Sequence, residues 1–460
     1  MNVLSDRYAS PEMNEIWSRT SKYRLERNLW VKVLKIQSKL GVEIPQQAID
    51  AYKECQDRID LVAIDAREIA TGHDVKARID EFNSLAGFEH IHLGMTSRDL
   101  TENVELLQIR SALHLIEKKA KTLLWILGAK ASTFASIPIV ARTHNVPAQL
   151  TTVGKKFASW AEELKFALDN LGNFLNRLPF KGVHGAVGTN LDLIRLLNEG
   201  EIQFQGELSK ELDFNDSLVA PTQIYPRSID FELVSSLFQL VAAPSNVALN
   251  IRLLSGLGHA SEGLTEGKTG SSAMPHKVNP RLSERINSLS SIARGHVAMI
   301  SSISGDQWNE GDVSCSALRR VVLPDSFFAV DGILDTAIHL IEQIAIDKES
   351  IEAEIHEVLP EIVSSTLLMQ SVKKGVGRET AHKHLKEHTQ RARVTGESFF
   401  ELILNDPTLS LESSDIERVT RDLLSLAGDA PRQAQRMAES IEEYLKAEIE
   451  IHSYRPGLIR

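Results

Sequence analysis

The sequence has very little cysteine, with only Cys55 and Cys315 among its 460 residues. Two cysteines cannot build a disulfide framework, and no cluster of them has the spacing of a structural zinc site. Such sparse usage fits the reducing cytosol. We therefore expect a cytoplasmic protein that holds no metal.

The sequence also lacks an excess of positive charge. Its formal net charge is -11 and its isoelectric point lies near 5.8. An acidic protein offers no counter-charge to nucleic acid or to an anionic membrane, so we expect neither as a partner. The N-terminal run MNVLSDRYAS has no apolar core, and no uninterrupted apolar run is long enough to span a bilayer. An anionic substrate must then bind in a local basic pocket.

Apolar residues are plentiful, at 42% of the chain, and their spacing predicts long helices. Apolar positions alternate steps of four and three, as in helices that pack against other helices, and residues 231 to 257 are apolar nearly all round. We call such a row of apolar positions a seam. The three clearest seams are Val153, Phe157, Trp160, Leu164, Ala167, Leu171 and Phe174; Leu282, Ile286, Leu289, Ala293, His296, Ile300 and Ile303; and Phe327, Val330, Leu334, Ala337, Ile341 and Ile344.

These patterns predict an all-α subunit in three parts. Residues 1–110 are expected to form short helices separated by turns. Residues 111–346 are expected to form a long central bundle that oligomerises, and residues 347–460 a smaller helical region.

Polar chemistry is concentrated in residues 265 to 285, TEGKTGSSAMPHKVNPRLSER. Glycines loosen the backbone before Ser271 and Ser272, so both hydroxyls are expected on a loop. Two prolines then bracket Lys277 and Asn279 before a helical pattern resumes. The simplest interpretation is a solvated connector between helices. The alternative is a base beside fixed donors that hold developing negative charge.

Shorter polar runs also have a structural and a chemical interpretation. His73 and Thr96 stand where helices begin and fit helix caps, and the amides of a helix N-terminus also bind carboxylates. Thr143 and His144 lie in a run read as a loop entering the first seam, with Thr143 as the cap. The glycine-rich residues 181–189 predict a tight turn or short hairpin.

Later helices carry polar residues at helical spacing. Ser316 and Arg320 share a face, which is usual for a solvated stripe. His382, His384 and His388 include a metal-like spacing of four. Because no carboxylate stands in register with them and lysines lie between them, a solvated helix face is the preferred interpretation.

The run GSSAMPHKVNP at residues 270–280 resembles the signature of the fumarase/aspartase superfamily, whose members release fumarate or a relative of it from a succinyl-bearing substrate. With HDV at 73–75, GMTS at 94–97 and THNVPA at 143–148, the chain looks most like the adenylosuccinate lyase family. The resemblance spans motifs from Arg7 to Arg320. It implies a three-domain all-α subunit, a homotetramer with sites built from several subunits, a purine nucleotide substrate and no cofactor.

The resemblance also implies roles for individual residues. Ser271 would be the general base and His144 the general acid, with Lys277 and His73 supporting them. Gly72 and Gly311 stand where many relatives carry a basic or bulky residue. The implied substrate-binding residues are Arg7, Tyr8, Asp74, Thr96, Ser97, Thr143, Gln223, Ser272, Met274, Asn279, Arg285, Ser316 and Arg320.

Two alternatives remain open. Argininosuccinate lyase, aspartase, fumarase and carboxymuconate cycloisomerases share the glycine-serine loop, although the HDV run and the Ser316 and Arg320 pair favour the purine enzyme. A non-catalytic structural relative would keep the bundle and lose the chemistry. The presence of Ser271, Lys277 and His144 argues against that loss.

Overall fold

The computed structural model describes residues 2–263, 274, 277–446 and 454–457, and helices carry almost all of its fold. The all-α prediction is confirmed. The first helices are α1 (Val3–Arg7), α2 (Pro11–Ile16), α3 (Arg19–Lys39), α4 (Gln46–Cys55), α5 (Leu61–Thr71) and α6 (Asp74–Ala86).

Helix α3 is longer than the short helices expected in this part of the chain, since it runs for 21 residues. Its charged residues Glu26 and Arg27 hid the apolar pattern. Both are buried, because Glu26 pairs with Arg78 at 2.6 Å and Arg27 pairs with Glu81. Charges paired in this way can lie inside a helix interface.

Long helices make up the centre of the chain and pack on one another. They and the short helices between them are α7 (Ser97–Thr133), α8 (Val153–Asn176), α9 (Leu191–Leu197), α10 (Glu201–Glu211), α11 (Ser228–Gly256), α12 (Arg281–Ser301) and α13 (Ser314–Gln343). Every residue of the first and third predicted seams is buried. In the second seam only Leu282 is partly exposed, and Ile303 follows the end of α12.

Helix α11 corrects the expectation that no apolar stretch could span a bilayer, because its length and hydropathy would allow it. In the structure it packs against α8, α12 and α13, as a core helix of a bundle does. It is not buried on every side, however. Leu249, Leu253 and the following Leu257 are 49%, 52% and 44% exposed and form a stripe of leucines.

The run around His144 is a β-hairpin and not the predicted helix-entry loop. Strand β1 (Pro138–Thr143) pairs antiparallel with β2 (Val146–Thr152), and Thr143 faces Val146 across the turn. Thr143 is therefore not a helix cap. Thr152 caps α8 instead, because its hydroxyl accepts the Lys155 N–H at 3.1 Å.

The last helices are α14 (Lys348–Ile362), α15 (Ser364–Lys373), α16 (Arg378–Thr395), α17 (Phe399–Leu404), α18 (Ser413–Arg421) and α19 (Ala430–Leu445). A short strand pair, β3 (Ala260–Ser261) with β4 (Ala345–Ile346), precedes them, and α19 returns to pack on α7 and α8. The solvated face expected on α16 needs correction. Asp406, from the turn after α17, places a carboxylate between His384 and His388.

Candidate active site

One buried carboxylate fastens the two ends of the signature stretch. Glu262 accepts the N–H of Leu282 at 2.9 Å, and both the N–H and the hydroxyl of Ser283 at 2.7 Å. These amides belong to the first turn of α12, whose N-cap residue Pro280 offers no side-chain acceptor. Unsatisfied amides at a helix start are costly when buried, so these hydrogen bonds are retained. They hold Glu262, which precedes the signature run at 270–280, against the first turn of α12, which follows it.

The signature candidates occupy different surroundings. Ser271 and Ser272 lie outside the described residues. Met274 and Lys277 are exposed, and the Lys277 N–H donates to the Met274 carbonyl at 3.0 Å. Asn279 is half-buried and, with Glu262, lines a cavity of about 360 Å³.

Arg7, Tyr8 and Arg285 meet although 277 positions separate Tyr8 from Arg285 in the sequence. The guanidinium carbons of Arg7 and Arg285 lie 6.0 and 5.7 Å from the centre of the Tyr8 ring. Burial, with the charge of Arg7 adding to it and Tyr8 opposing it, lowers the pKa of Arg285. Two cations gathered on one ring favour the binding of an anion near them.

A second group joins the start of α6 to α13. His73 caps α6, since its Nδ1 accepts the Lys76 N–H at 3.3 Å, which confirms the structural interpretation. Asp74 follows it and contacts the guanidinium of Arg320 at 3.5 Å. Burial raises the pKa of Asp74, but the charges of Arg78 and Arg320 and the N–H of Val75 together outweigh it, so the net pKa is lowered. A carboxylate and an exposed guanidinium thus stand beside a half-exposed imidazole.

The buried neighbour of Arg320 anchors the start of α13. Arg319 donates from Nε to Asp230 at 2.7 Å and from Nη1 to Glu105 at 2.9 Å. Ser316 is half-buried one turn earlier on the same helix. Because a buried ion pair of this kind is costly to break, the first turns of α13 are held rigidly against α7 and α11.

Gln223 lies on the loop before α11, which buried charges also hold. Its N–H donates to the Glu310 carbonyl at 3.0 Å. Two residues later the Tyr225 N–H donates to Glu102 at 2.9 Å, and Arg227 pairs with the same carboxylate. The side chain of Gln223 is thereby presented from a fixed backbone.

The start of α7 carries Thr96 as its N-cap, followed by Ser97. Asp99 organises this end, since it accepts the N–H of Thr96 at 2.9 Å and the ammonium of Lys181 at 2.7 Å. It also accepts the backbone N–H groups of His184 and Gly185. Residues 181–189 form a loop with a turn at 186–187, as predicted, and not a hairpin, and Asp99 ties this loop to the head of α7.

His144 lies apart from these groups within the single chain. It occupies the exposed tip of the β1–β2 hairpin with a φ of 53°, next to Asn145 at 62°. Within the described residues, no hydrogen bond or ion pair joins it to the other candidates. The structure therefore brings together Arg7, Tyr8 and Arg285, and separately Asp74 and Arg320, but not His144.

Comparison with known proteins decides the family. A family model described as Lyase matches residues 7–295, and one described as Adenylosuccinate lyase C-terminus matches residues 360–437. The adenylosuccinate lyase of Schistosoma mansoni is 32% identical over 99% of this chain and 97% of its own length. The chain belongs to the adenylosuccinate lyase family. The adenylosuccinate lyase of Saccharomyces cerevisiae is also similar, with 29% identity over 95% of this chain and 93% of its own length.

Solved structures add the shape of the fold. The 3-carboxy-cis,cis-muconate lactonizing enzyme from Pseudomonas putida matches with a TM-score of 0.86, covering 96% of this chain and 100% of its own, at 22% identity. A fumarate lyase from Mesorhizobium matches with a TM-score of 0.82 at 21% identity, covering 94% and 98%. At this identity the likeness concerns the fold alone.

The two glycines singled out in the sequence, Gly72 and Gly311, both have left-handed or otherwise positive-φ backbone. Gly72 ends α5 in the left-handed conformation, with a φ of 64°. Gly311 has a φ of 146°, and a side chain there would meet Ile224 at 3.3 Å and Gln223 at 3.4 Å. An arginine at position 311 would therefore strain the backbone of this loop and press on the side chains of Ile224 and Gln223.

The sequence patterns assign no role to His92, which precedes the head of α7. Its backbone is left-handed, with a φ of 66°, and its Nδ1 accepts the Trp30 Nε1–H at 3.1 Å. Burial, aided by the charge of His73 and opposed by Asp99, lowers its pKa to about 4. The available signal was its position in HLGMTS, two residues before the glycine of the GMTS run.

Proposed function

We propose that this chain cleaves adenylosuccinate to AMP and fumarate, and succinylaminoimidazole carboxamide ribotide to the corresponding carboxamide and fumarate. The substrate carries a phosphate and a succinyl group, so its anionic groups need cations. The observation that carries the proposal is the meeting of Arg7, Tyr8 and Arg285 at the helix that follows the signature stretch. Names of the near full-length relatives support the same activity.

The proposed reaction breaks one carbon-nitrogen bond. Ser271 takes a proton from the carbon beside a succinyl carboxylate, and the electron pair of that C–H bond becomes the double bond of fumarate as the C–N bond breaks. His144 gives a proton to the departing nitrogen. Lys277 and Asn279 hold the carboxylate that becomes electron-rich, which stabilises the transition state. The step needs no oxidant and no hydrolytic water, so we assign no cofactor.

We further propose a homotetramer in which several subunits contribute to each site, with domains at residues 1–110, 111–346 and 347–460. The exposed position of His144 supports this, since a catalytic acid must reach the substrate. The leucine stripe on α11 also supports it, because apolar surface on a core helix is typical of a subunit interface. A cytoplasmic location agrees with the sparse cysteine content.

Fumarate release by the purified protein tests the substrate. We expect release from adenylosuccinate, and none from argininosuccinate or malate. Release from another substrate of the panel would assign a different lyase of the superfamily. Silence with all of them would favour a non-catalytic structural relative.

Two variants test the assignment of base and acid. Ser271→Ala and His144→Gln are each expected to lower kcat by at least about 100-fold while far-UV circular dichroism stays unchanged. Full turnover in Ser271→Ala would remove the serine as base. A rise in KM alone in His144→Gln would make His144 a binding residue.

A further inference from the structure

Two histidines and an aspartate converge in the C-terminal part of the chain, and none of them is a candidate active-site residue. His384 Nδ1 and His388 Nε2 lie 2.7 and 2.8 Å from the same oxygen, Oδ2 of Asp406. The three atoms lie within 4.8 Å of one another. Ligand atoms this close together can reach one metal ion after a small movement.

Two packed elements hold these side chains in place. The histidines lie one turn apart on α16, on the face that also buries Ala381 and Leu385. Asp406 stands in the turn after α17, and its other oxygen, Oδ1, accepts the Thr408 N–H at 2.9 Å. Helix α16 packs against α17. The carboxylate is therefore oriented by a backbone donor, as carboxylate ligands of metals commonly are.

We propose that His384, His388 and Asp406 form a zinc site that ties α16 to the turn after α17. Two imidazoles and one carboxylate suit Zn²⁺, whereas Mg²⁺ and Ca²⁺ prefer oxygen ligands alone. The side chains keep 30%, 18% and 11% of their surface exposed. Solvent can thus supply the fourth ligand as a water molecule.

Zinc binding requires only a small rearrangement. Bond lengths of about 2.0–2.2 Å place the ligand atoms of a tetrahedral site about 3.3–3.6 Å apart, so each nitrogen must move about 0.5–0.9 Å away from Oδ2 of Asp406. In the metal-free arrangement each imidazole donates an N–H to Asp406. On binding, the ring nitrogen that faced Asp406 gives up its proton and coordinates the ion through the freed lone pair, and the neutral ring then carries its proton on the outer nitrogen, exchanged through water. The partly exposed edge of the cluster leaves room for this movement.

The competing interpretation is a hydrogen-bonded clamp without metal. It predicts the same contacts but no selective affinity for zinc. The two are separated by titrating the full-length, EDTA-treated protein with Zn²⁺ against a chromophoric chelator. We expect one site per chain, weakened by at least about tenfold in His388→Gln and in Asp406→Asn. Excess Mg²⁺ should not compete for it.

A matched control lies on the same helix. His382 is exposed and outside the cluster, so His382→Gln should leave the zinc affinity unchanged. Equal affinity in the wild type and His388→Gln, or an equal loss in His382→Gln, would overturn the proposal. Fumarate release should not change in any of these variants, because the site lies outside the proposed catalytic set.

A measurement on the wild type guards against variants that fail to fold. X-ray absorption at the zinc edge is expected to show two imidazole nitrogens in the coordination shell of the one-to-one complex. A shell without imidazole would reject the site. Zinc should also raise the unfolding temperature with increasing concentration, because it binds only the folded arrangement of α16 and Asp406.

Discussion

The partly buried imidazole of His92 makes the stability of the fold depend on pH. Its pKa of about 4 lies below the ordinary value of 6.5. Above pH 6.5 the ring is neutral in both the folded and the unfolded chain, so it adds no pH dependence. Below that value the unfolded chain binds a proton that the folded chain takes up only near pH 4. Stability is therefore lost, by about 1.4 kcal/mol per pH unit, as the pH falls through this window.

The variant His92→Asn should remove this dependence. Asparagine tolerates left-handed backbone, and its side-chain oxygen can accept the Trp30 N–H. Between pH 7 and pH 5 we expect the free energy of unfolding to fall by about 2 kcal/mol less in the variant than in the wild type. Urea unfolding at the two pH values measures this. Equal losses in both proteins would mean that His92 is not held neutral.

At the residue scale, what the sequence predicted was local chemistry. The cap at His73 was predictable because its partner, Lys76, is three residues away. The contact between Asp74 and Arg320 was not, because it joins residues 246 positions apart. Asp406 was missed beside His384 for the same reason. Side chains that meet only through the fold leave no periodic signal.

Among the elements, α13 sets the position of Tyr8 through one glycine. A Cβ on Gly332 would lie 2.8 Å from the Tyr8 carbonyl oxygen and 3.0 Å from its Cβ. We expect Gly332→Ala to displace Arg7 and Tyr8 and to raise KM for adenylosuccinate by about tenfold or more, with less effect on kcat. Steady-state kinetics of fumarate release measures both constants.

The matched control for this variant is Gly206→Ala in α10. Gly206 is exposed, and a Cβ there meets no atom within 4 Å. This change should leave KM alone and stabilise the helix by up to about 1 kcal/mol. An unchanged KM in Gly332→Ala would show that the close approach of Tyr8 does not position the substrate.

Element prediction succeeded where burial follows one helical face. The seam from Val153 to Phe174 is buried throughout, so its period was visible. The hairpin around His144 was missed because Thr143 and Pro147 resemble the start of a helix. Helix α3 was underestimated because it buries Glu26 and Arg27 with partners from α6. A pattern read from polarity alone counts such paired charges as exposed.

For the whole molecule, both the exposed leucine stripe and the position of His144 lead us to expect that the chains associate. The leucine stripe on α11 is exposed in the single chain, and His144 stands at an exposed tip. Association through α11 would bury the stripe and allow His144 to approach a site formed by another subunit. The homotetramer stays a prediction, and so does the sharing of its sites.

Mixing two inactive variants tests the shared site. Suppose that Ser271 and His144 serve one site from different subunits. When Ser271→Ala and His144→Gln chains assemble at random in equal amounts, about one quarter of the sites then contain both intact residues. Co-expression should then recover about that fraction of wild-type fumarate release, while either variant alone stays inactive. If one chain supplied both residues, every site would lack one of them and no activity would return. Sedimentation of the mixed protein as a tetramer is the required control, because chains that do not assemble together cannot complement each other.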